Sequence, residues 1–429
     1  MTAGAGDRRS PGGQGKIGAG DRRSPGGQGR ISPADSLARC VGDVARFVAE
    51  FWAQRPHLHT SWGGDDFGDL LSLENVDLIL STMSLRAPAF RLVRDGRTLA
   101  PSSYTRSGTV GGRTVTDLVD VGRSYEHFHQ GATIVLQGLH RYWEPVTRFC
   151  RGLELTLTHP VQANAYVTPP VASGLRVHHD THDVFALQTY GRKQWVTYPP
   201  VVPRPLASQV WSSDEGAPGE AELDVELKPG DCLYLPRGIP HAARTVAVAS
   251  VHLTIGVRSY TWHDVLRELV EAAKSELTFR EALPVGFAHD QPGFRSAVAR
   301  RLKEMAAWVA DADADALAER MSGRFRRGCS PLLRGQLQQL LALDAVEDAS
   351  MVVRRPGTVC EVASVGDRLR VQLGDRRLDM PAALEPAVSR LVEAGRLRVR
   401  DLADLLDLSS RTVLVQRLVR EGLLMVVDD

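Results

Sequence analysis

The sequence predicts a mainly β protein with helices attached: a β-barrel or two-sheet jelly roll in its middle, a helical segment after it, and a small mixed domain at the C-terminus. Three observations carry this. Between residues 151 and 258, short runs of alternating apolar and polar residues are broken by Gly and Pro, the pattern of an all-β sandwich or barrel. After Gly256, Trp262, Val265, Leu266, Leu269, Val270 and Ala273 recur at the spacing of one helix face. Beyond residue 350, strand-like runs, helix-like stretches and a last strand follow one another. The 429 residues leave room for about two or three domains.

Taken in order, residues 4–17 and 18–31 are one fourteen-residue unit repeated, differing only at Lys16 and Arg30. Rich in Gly, Pro, Arg and Ser, residues 1–33 cannot bury enough apolar surface to offset ordering entropy, and a disordered tail is expected. From Pro33 a helix is expected, with Leu37, Val41, Val44, Ala45, Val48 and Phe51-Trp52 on one face. Residues 68–140 mix short helices with strands such as Ala89–Val93 and Ala132–Gln137. The barrel domain is placed at 34–260, interrupted by an exposed Pro/Gly/acid-rich loop at 202–222. A helical segment is placed at 261–345. The closing domain, 346–429, carries strands at Met351–Arg354 and Arg368–Leu373, helices at 382–395, 400–406 and 410–421, and a strand at Leu423–Val427, a winged-helix order.

Composition excludes several classes. The net charge of +1 gives no global argument for nucleic acid or an acidic membrane surface, and no apolar run is long enough to span a bilayer. The N-terminus is basic but lacks the apolar core of a signal peptide. Five scattered cysteines with no C-x-x-C pair give neither a disulfide frame nor a thiolate metal site, and they fit a reducing cytoplasm. In the last helix Arg411, Arg417 and Arg420 invite a DNA-reading role. Asp401, Asp404 and Asp407 sit just upstream, and protein packing is the preferred reading.

The chemistry concentrates in His178-His179-Asp180. On a strand, residues i and i+2 share a face, so His178 and Asp180 reach one point while His179 points away. They supply one imidazole and one carboxylate of a 2-His-1-carboxylate site, and His241 is the candidate third ligand. Each histidine has its own frame. Ser173-Gly174 precedes the first, and Val184–Leu187, a Tyr190-Gly191 turn and Gln194–Tyr198 follow it. Turns at Pro229-Gly230-Asp231 and Pro236-Arg237-Gly238 flank the strand Cys232–Leu235 before Pro240-His241. This reads as a non-haem Fe(II) site in a β-barrel.

With these residues the chain resembles the cupin-fold (double-stranded β-helix) JmjC oxygenases, and among them the ribosomal oxygenases. The matching pieces are Asn164-x-Tyr166-x-Thr168-Pro169, His178 to Gln188, Gly191 to Trp195, Gly230 to His241, and Ser250 to Gly256. The resemblance implies an enzyme that uses Fe(II), 2-oxoglutarate and O2 to hydroxylate a side chain of a protein or peptide substrate, such as a ribosomal protein. It implies His178, Asp180 and His241 as ligands and catalytic centre, and Lys193 as the cation for the far carboxylate of 2-oxoglutarate. Tyr166, Thr254 and Asn164 follow as further co-substrate contacts, and Gln137 as a pocket position. Asp183 aligns with a non-ligand acid, and His252 is expected beside the pocket. The helical segment is expected to join two subunits, and the winged-helix-like domain to close the chain.

From spacing alone, Arg192 competes with Lys193, although lysine occurs at only five positions in the chain. Three other readings stay open. One is a hydroxylase of a small peptide or amino acid in a biosynthetic pathway. Another is demethylation in place of hydroxylation. The third is a cupin ligand sensor whose last domain reads DNA.

Overall fold

A computed structural model describes residues 33–61, 66–172, 174–212 and 219–428. The repeat at 4–31, Ser173 and the centre of the 202–222 insertion lie outside the described residues.

The chain opens with α1 (Pro33–Val41), α2 (Val44–Glu50), β1 (His57–His59) and α3 (Leu73–Thr82). Then come β2 (Phe90–Arg94), β3 (Arg97–Thr98), the hairpin β4 (Thr105–Val110) and β5 (Arg113–Val119), α4 (Val121–His129), β6 (Thr133–Leu136) and α5 (Glu144–Leu157). The barrel proper adds β7 (Val161–Thr168), β8 (Asp183–Gly191), β9 (Lys193–Thr197), β10 (Leu223–Leu227), β11 (Cys232–Leu235), β12 (His241–Arg244) and β13 (Ser250–Val257). The single opening helix expected from the sequence is two helices. Gly42 takes a left-handed φ of 71°, and Asp43 caps α2 by accepting from the Arg46 amide.

An eight-stranded antiparallel sheet runs β1-β11-β8-β13-β7-β6-β2-β3, and a three-stranded sheet runs β10-β9-β12. Period-2 patterning divides the functions of the large sheet's two faces. Ala163, Ala165 and Val167 of β7, with Val251, Leu253, Ile255 and Val257 of β13, join a core that also takes Leu37 and Cys40 of α1 and Phe149 and Leu153 of α5. The alternate residues Asn164, Tyr166 and Thr168 stand opposite Thr254, His252 and Ser250 on the other face. That face turns toward the small sheet. One end of the space between the sheets is filled by Val184, Ala186, Trp195, Leu227, Leu233, Leu235 and Ile239. The apolar end is sealed, and the polar residues line what remains.

The rest is α6 (Trp262–Ala272), α7 (Gln291–Ala310), α8 (Ala314–Gly328), α9 (Gln336–Leu341), β14 (Met351–Arg354), β15 (Cys360–Val365), β16 (Arg368–Leu373), β17 (Arg376–Pro381), α10 (Glu385–Glu393), β18 (Leu397–Arg398), α11 (Leu408–Arg420) and β19 (Leu424–Val427). The expected helix at 293–320 is broken between Ala310 and Ala314, where Asp313 caps α8. In the closing domain β15 and β17 flank β16 in a three-stranded sheet, two strands more than the sequence reading placed there. The expected helix at 400–406 is only a 3-10 turn over Val399–Leu402.

Candidate metal centre

Two strands and one loop build the site. His241 opens β12 and is buried, with Trp195 of β9 lying across it at 5.8 Å between ring centres. The expected strand at 178–180 is absent. Residues 174–182 run as a loop joined to β12 by the Gly174 amide, which donates to the Ala243 carbonyl at 3.3 Å, and by a His178–His241 bridge, so strand parity is not what aims Asp180. The loop is pinned instead at its far end, where the Asp180 carbonyl accepts from the Gly238 amide at 3.0 Å.

His178, Asp180 and His241 nevertheless converge, each offering one ligand atom within 4.8 Å of the others. Both imidazoles are oriented alike. His178 Nδ1 meets the Arg176 carbonyl at 2.8 Å, and His241 Nδ1 meets the Ile239 carbonyl at 3.0 Å. A carbonyl only accepts, so each Nδ1 carries the proton and each Nε2 keeps its lone pair for the shared point. His241 Nε2 stands 3.8 Å from Asp180 Oδ2. Burial, then repulsion from His178, pushes His241 down to about 4, which keeps it neutral. Burial alone would raise the Asp180 carboxyl, but the surrounding histidines, His241 first, hold it below its usual range. Two neutral imidazoles and one carboxylate form the donor set of a facial Fe(II) site.

Behind this point the barrel interior is polar and incompletely paired. Lys193 is 2% exposed, and its Nζ donates to Thr168 Oγ1 at 2.9 Å. No carboxylate pairs with it among the described residues, and burial lowers the ammonium to about 7. Arg192 points outward and pairs with Glu226 at 3.1 Å, 56% exposed. Tyr166 lies flat on His252 at 5.0 Å, and Trp195 meets His252 edge-on at 5.4 Å. Burial, with Lys193 nearby, holds His252 well below its usual value. The buried atoms His252 Nδ1, Trp195 Nε1, Thr197 Oγ1 and Gln188 Oε1 have no hydrogen-bond partner among the described residues. A small polar ligand with an anionic end fits such a chamber.

Thr254 stands half-buried on the same inner face, opposite Asn164. Asn164 is partly committed elsewhere, because its Oδ1 accepts from the Gly138 amide at 3.0 Å. That bond fixes the turn after Gln137, whose own amide donates to Ala89 O at 2.7 Å. Asp183, wholly buried, accepts from Tyr234 Oη, the Arg237 amide and Ser259 and faces away from the ligand cluster. Two residues of the chamber went without a role in the sequence reading. Thr168 was visible as the next alternate residue after Asn164 and Tyr166. Arg91, which hydrogen-bonds Tyr166 from the neighbouring part of the sheet, carries no local signal.

The JmjC domain family matches residues 139–265, a span holding both histidines, Asp180 and Lys193. Around this matched span the chain is similar to the bifunctional lysine-specific demethylase and histidyl-hydroxylase NO66 of Aedes aegypti, 26% identical over 69% of this chain and 48% of that protein. It is also similar to ribosomal oxygenase 2 of Rattus norvegicus, 36% identical over 36% of this chain and 34% of that protein. The chain spans about half the length, or less, of the curated relatives it matches. In fold it resembles the Escherichia coli ribosomal oxygenase YcfD, solved in complex with cobalt and 2-oxoglutarate, with TM-score 0.50 and 19% identity over 90% of this chain and 98% of that one.

Proposed function

We propose that this chain is an Fe(II)- and 2-oxoglutarate-dependent oxygenase that hydroxylates an amino-acid side chain of a protein. The observation that carries the reading is Lys193, a buried ammonium without a counter-ion among the described residues, in the same barrel as three converging metal-ligand atoms. Burying an unpaired charge costs several kcal/mol, so the position makes sense when an anion arrives. His178, Asp180 and His241 would hold the iron, and Lys193 the far carboxylate of 2-oxoglutarate, with Tyr166, Thr254 and Asn164 as polar neighbours. When bound, the iron and 2-oxoglutarate supply with O2 the oxidising power for C–H hydroxylation, leaving succinate and carbon dioxide. The protein's share is position and dryness. Trp195 and the apolar end of the barrel exclude water, and the carbonyls of Arg176 and Ile239 keep both Nε2 atoms aimed.

The relatives' names point to a ribosomal protein as substrate and keep demethylation in view as a variant of the same oxidation. We place the catalytic domain at 34–260, a dimerising helical segment at 261–345 and a winged-helix-like domain at 346–429. For the dimer, α6 leaves Trp262, Leu266 and Val270 exposed and α7 leaves Leu302 and Met305 exposed, an apolar face suited to a second copy. No described helix is long and apolar enough to cross a membrane, and all five cysteines are free, in keeping with a cytoplasmic enzyme. The deciding experiment compares ribosomal proteins from cells with and without the gene by mass spectrometry. A gene-dependent gain of one oxygen atom on one residue is the expected result. No such difference, together with no release of carbon dioxide from 2-oxoglutarate by the purified protein, would overturn the proposal.

A further inference from the structure

A second cavity lies on the outer face of the small sheet, outside the co-substrate chamber. It holds about 560 Å³, and its walls include Arg176 and Val177 on one side, Ala242 and Arg244 on another, and Asp95 at the β2–β3 turn. Ala242 and Arg244 alternate along β12 with His241 and stand opposite Val196 and Gln194, so the groove lies behind the face that carries the metal ligands. Its volume suits a few residues of an extended peptide and falls within the range of ordinary ligand clefts.

The charge in this groove is unbalanced. Arg176 and Arg244 are both exposed, and neither has an ionic partner among the described residues. Asp95 is the one acid in the lining, and it too is exposed and unpaired. Arg176 is held in place. Its stem lies so close to Gly96 that a Cβ built there would meet Arg176 Cγ at 2.4 Å and the Arg176 amide at 3.2 Å. A guanidinium whose stem is already fixed loses less freedom when it binds, and its planar fork matches a carboxylate. Arg244 leaves the end of β12 on the outer face, in register with Gln194.

We infer that this groove docks a part of the substrate protein away from its target side chain, and that it selects a segment carrying a carboxylate for Arg176 and Arg244. The inference rests on the protein-hydroxylase reading and adds to it the charge of the segment recognised. Asp95, across the groove, disfavours an acid at its own end and so gives the docked segment a direction.

Binding needs no turnover, which separates this test from that of the oxygenase reading. Fluorescein-labelled Gly-Ser decapeptides with a central Glu-Glu, Lys-Lys or Ser-Ser pair, and a labelled decauridylate, are titrated with the full chain at low salt and followed by anisotropy. The Glu-Glu peptide is expected to bind about tenfold tighter than the Lys-Lys peptide. The preference should vanish in Arg176→Glu/Arg244→Glu and persist in Arg106→Glu, which alters an exposed arginine on the β4–β5 hairpin. Gly96→Ala, which displaces the Arg176 stem, should weaken the preference without reversing it. Equal binding of the peptides, a preference for Lys-Lys, or a preference that survives the double variant each overturns the inference. Decauridylate bound more tightly than Glu-Glu and lost in the double variant would assign the groove to RNA, which also overturns it. Calorimetry of 2-oxoglutarate binding to the Mn(II)-loaded Arg244→Glu variant should match the parent, which shows that the metal and co-substrate site is intact.

Discussion

His178 and His241 hydrogen-bond each other through their main chains in both directions, His241 N to His178 O at 2.8 Å and His178 N to His241 O at 3.2 Å. Two residues distant in sequence are thus set in register by backbone, and their side chains are free to ligate. His178→Ala keeps both of these bonds. It should leave the thermal midpoint within a few degrees of the parent while 2-oxoglutarate turnover falls to background. A thermal melt and a turnover assay read the two quantities separately. Full turnover in this variant would remove His178 from the site.

Lys193 and Arg192 are adjacent in sequence and opposite in environment. Lys193→Ala removes the buried cation and should weaken 2-oxoglutarate binding by about 2–5 kcal/mol. Arg192→Ala removes half of an exposed pair with Glu226, and its effect on stability or binding should stay within about 0.5 kcal/mol. A titration giving the reverse order would move the anchor to Arg192.

The same lysine sets a pH dependence. Its folded-state value, about 7 without ligand, lies below its unfolded one, near 10.5. Below pH 7 both states carry the proton, and folding bears the whole cost of burying it. Between the two values the unfolded chain binds more protons, so this group's contribution to stability rises with pH. 2-Oxoglutarate selects the ammonium form. Its affinity should therefore fall above pH 7, by up to about tenfold per unit, and binding there should take up a proton. Calorimetry in buffers of different ionisation enthalpy measures that uptake, and none at pH 8 would contradict the assignment.

Much of the site was legible because its chemistry needs rare residues in fixed frames. His178, Asp180 and His241 could be named from motif and spacing, Lys193 only from the family resemblance, and the apolar runs around them became β8, β9 and β11. The geometry behind them was less legible. Asp180 reaches its place through a loop tied to Gly238, a contact between segments far apart in sequence. Arg91 acts on Tyr166 from another strand, and pairing of that kind leaves no local trace. Gly42 split the first helix although the apolar spacing runs straight through it, since φ at one residue overrides periodicity. β15 and β17 escaped notice because they carry little buried apolar pattern: β15 has no buried residue and β17 buries only Leu378 and Met380.

Asp183 illustrates a buried acid outside the ligand set. It accepts from Tyr234 Oη, the Arg237 amide and Ser259, and it forms an ion pair with Arg237 at 3.4 Å. Asp183→Ala strands a largely buried guanidinium and should destabilise the fold by about 3–5 kcal/mol. Asp183→Asn should cost less, because the donors keep an acceptor. Denaturant melts of the two variants check this, and equal midpoints for parent and Asp183→Ala would show that the network is dispensable.

The last domain has a helix order that invites a DNA-binding role, and its arginines decide against it. Arg411 is buried and forks onto Asp348 at 2.6 and 2.9 Å, while Arg417 pairs with Glu421 at 2.8 Å. The upstream acids are also engaged. Asp404 pairs with Arg390 at 2.6 Å, and Asp407 caps α11 by accepting from the Ser410 amide at 2.8 Å. Of the three arginines on α11, Arg420 alone is exposed and without an ion pair among the described residues. Each phosphate contact contributes a salt slope of about −0.9, and a helix with so few free cations has little to offer a duplex. The full chain should bind duplex DNA no better than about 10⁻⁴–10⁻⁶ M, with a shallow salt dependence. Arg411→Ala should loosen the domain, seen as earlier proteolysis around residues 346–350, and leave that weak affinity unchanged. Sub-micromolar binding of a defined duplex at physiological salt, by fluorescence anisotropy, would sink this expectation and favour a ligand-sensing regulator.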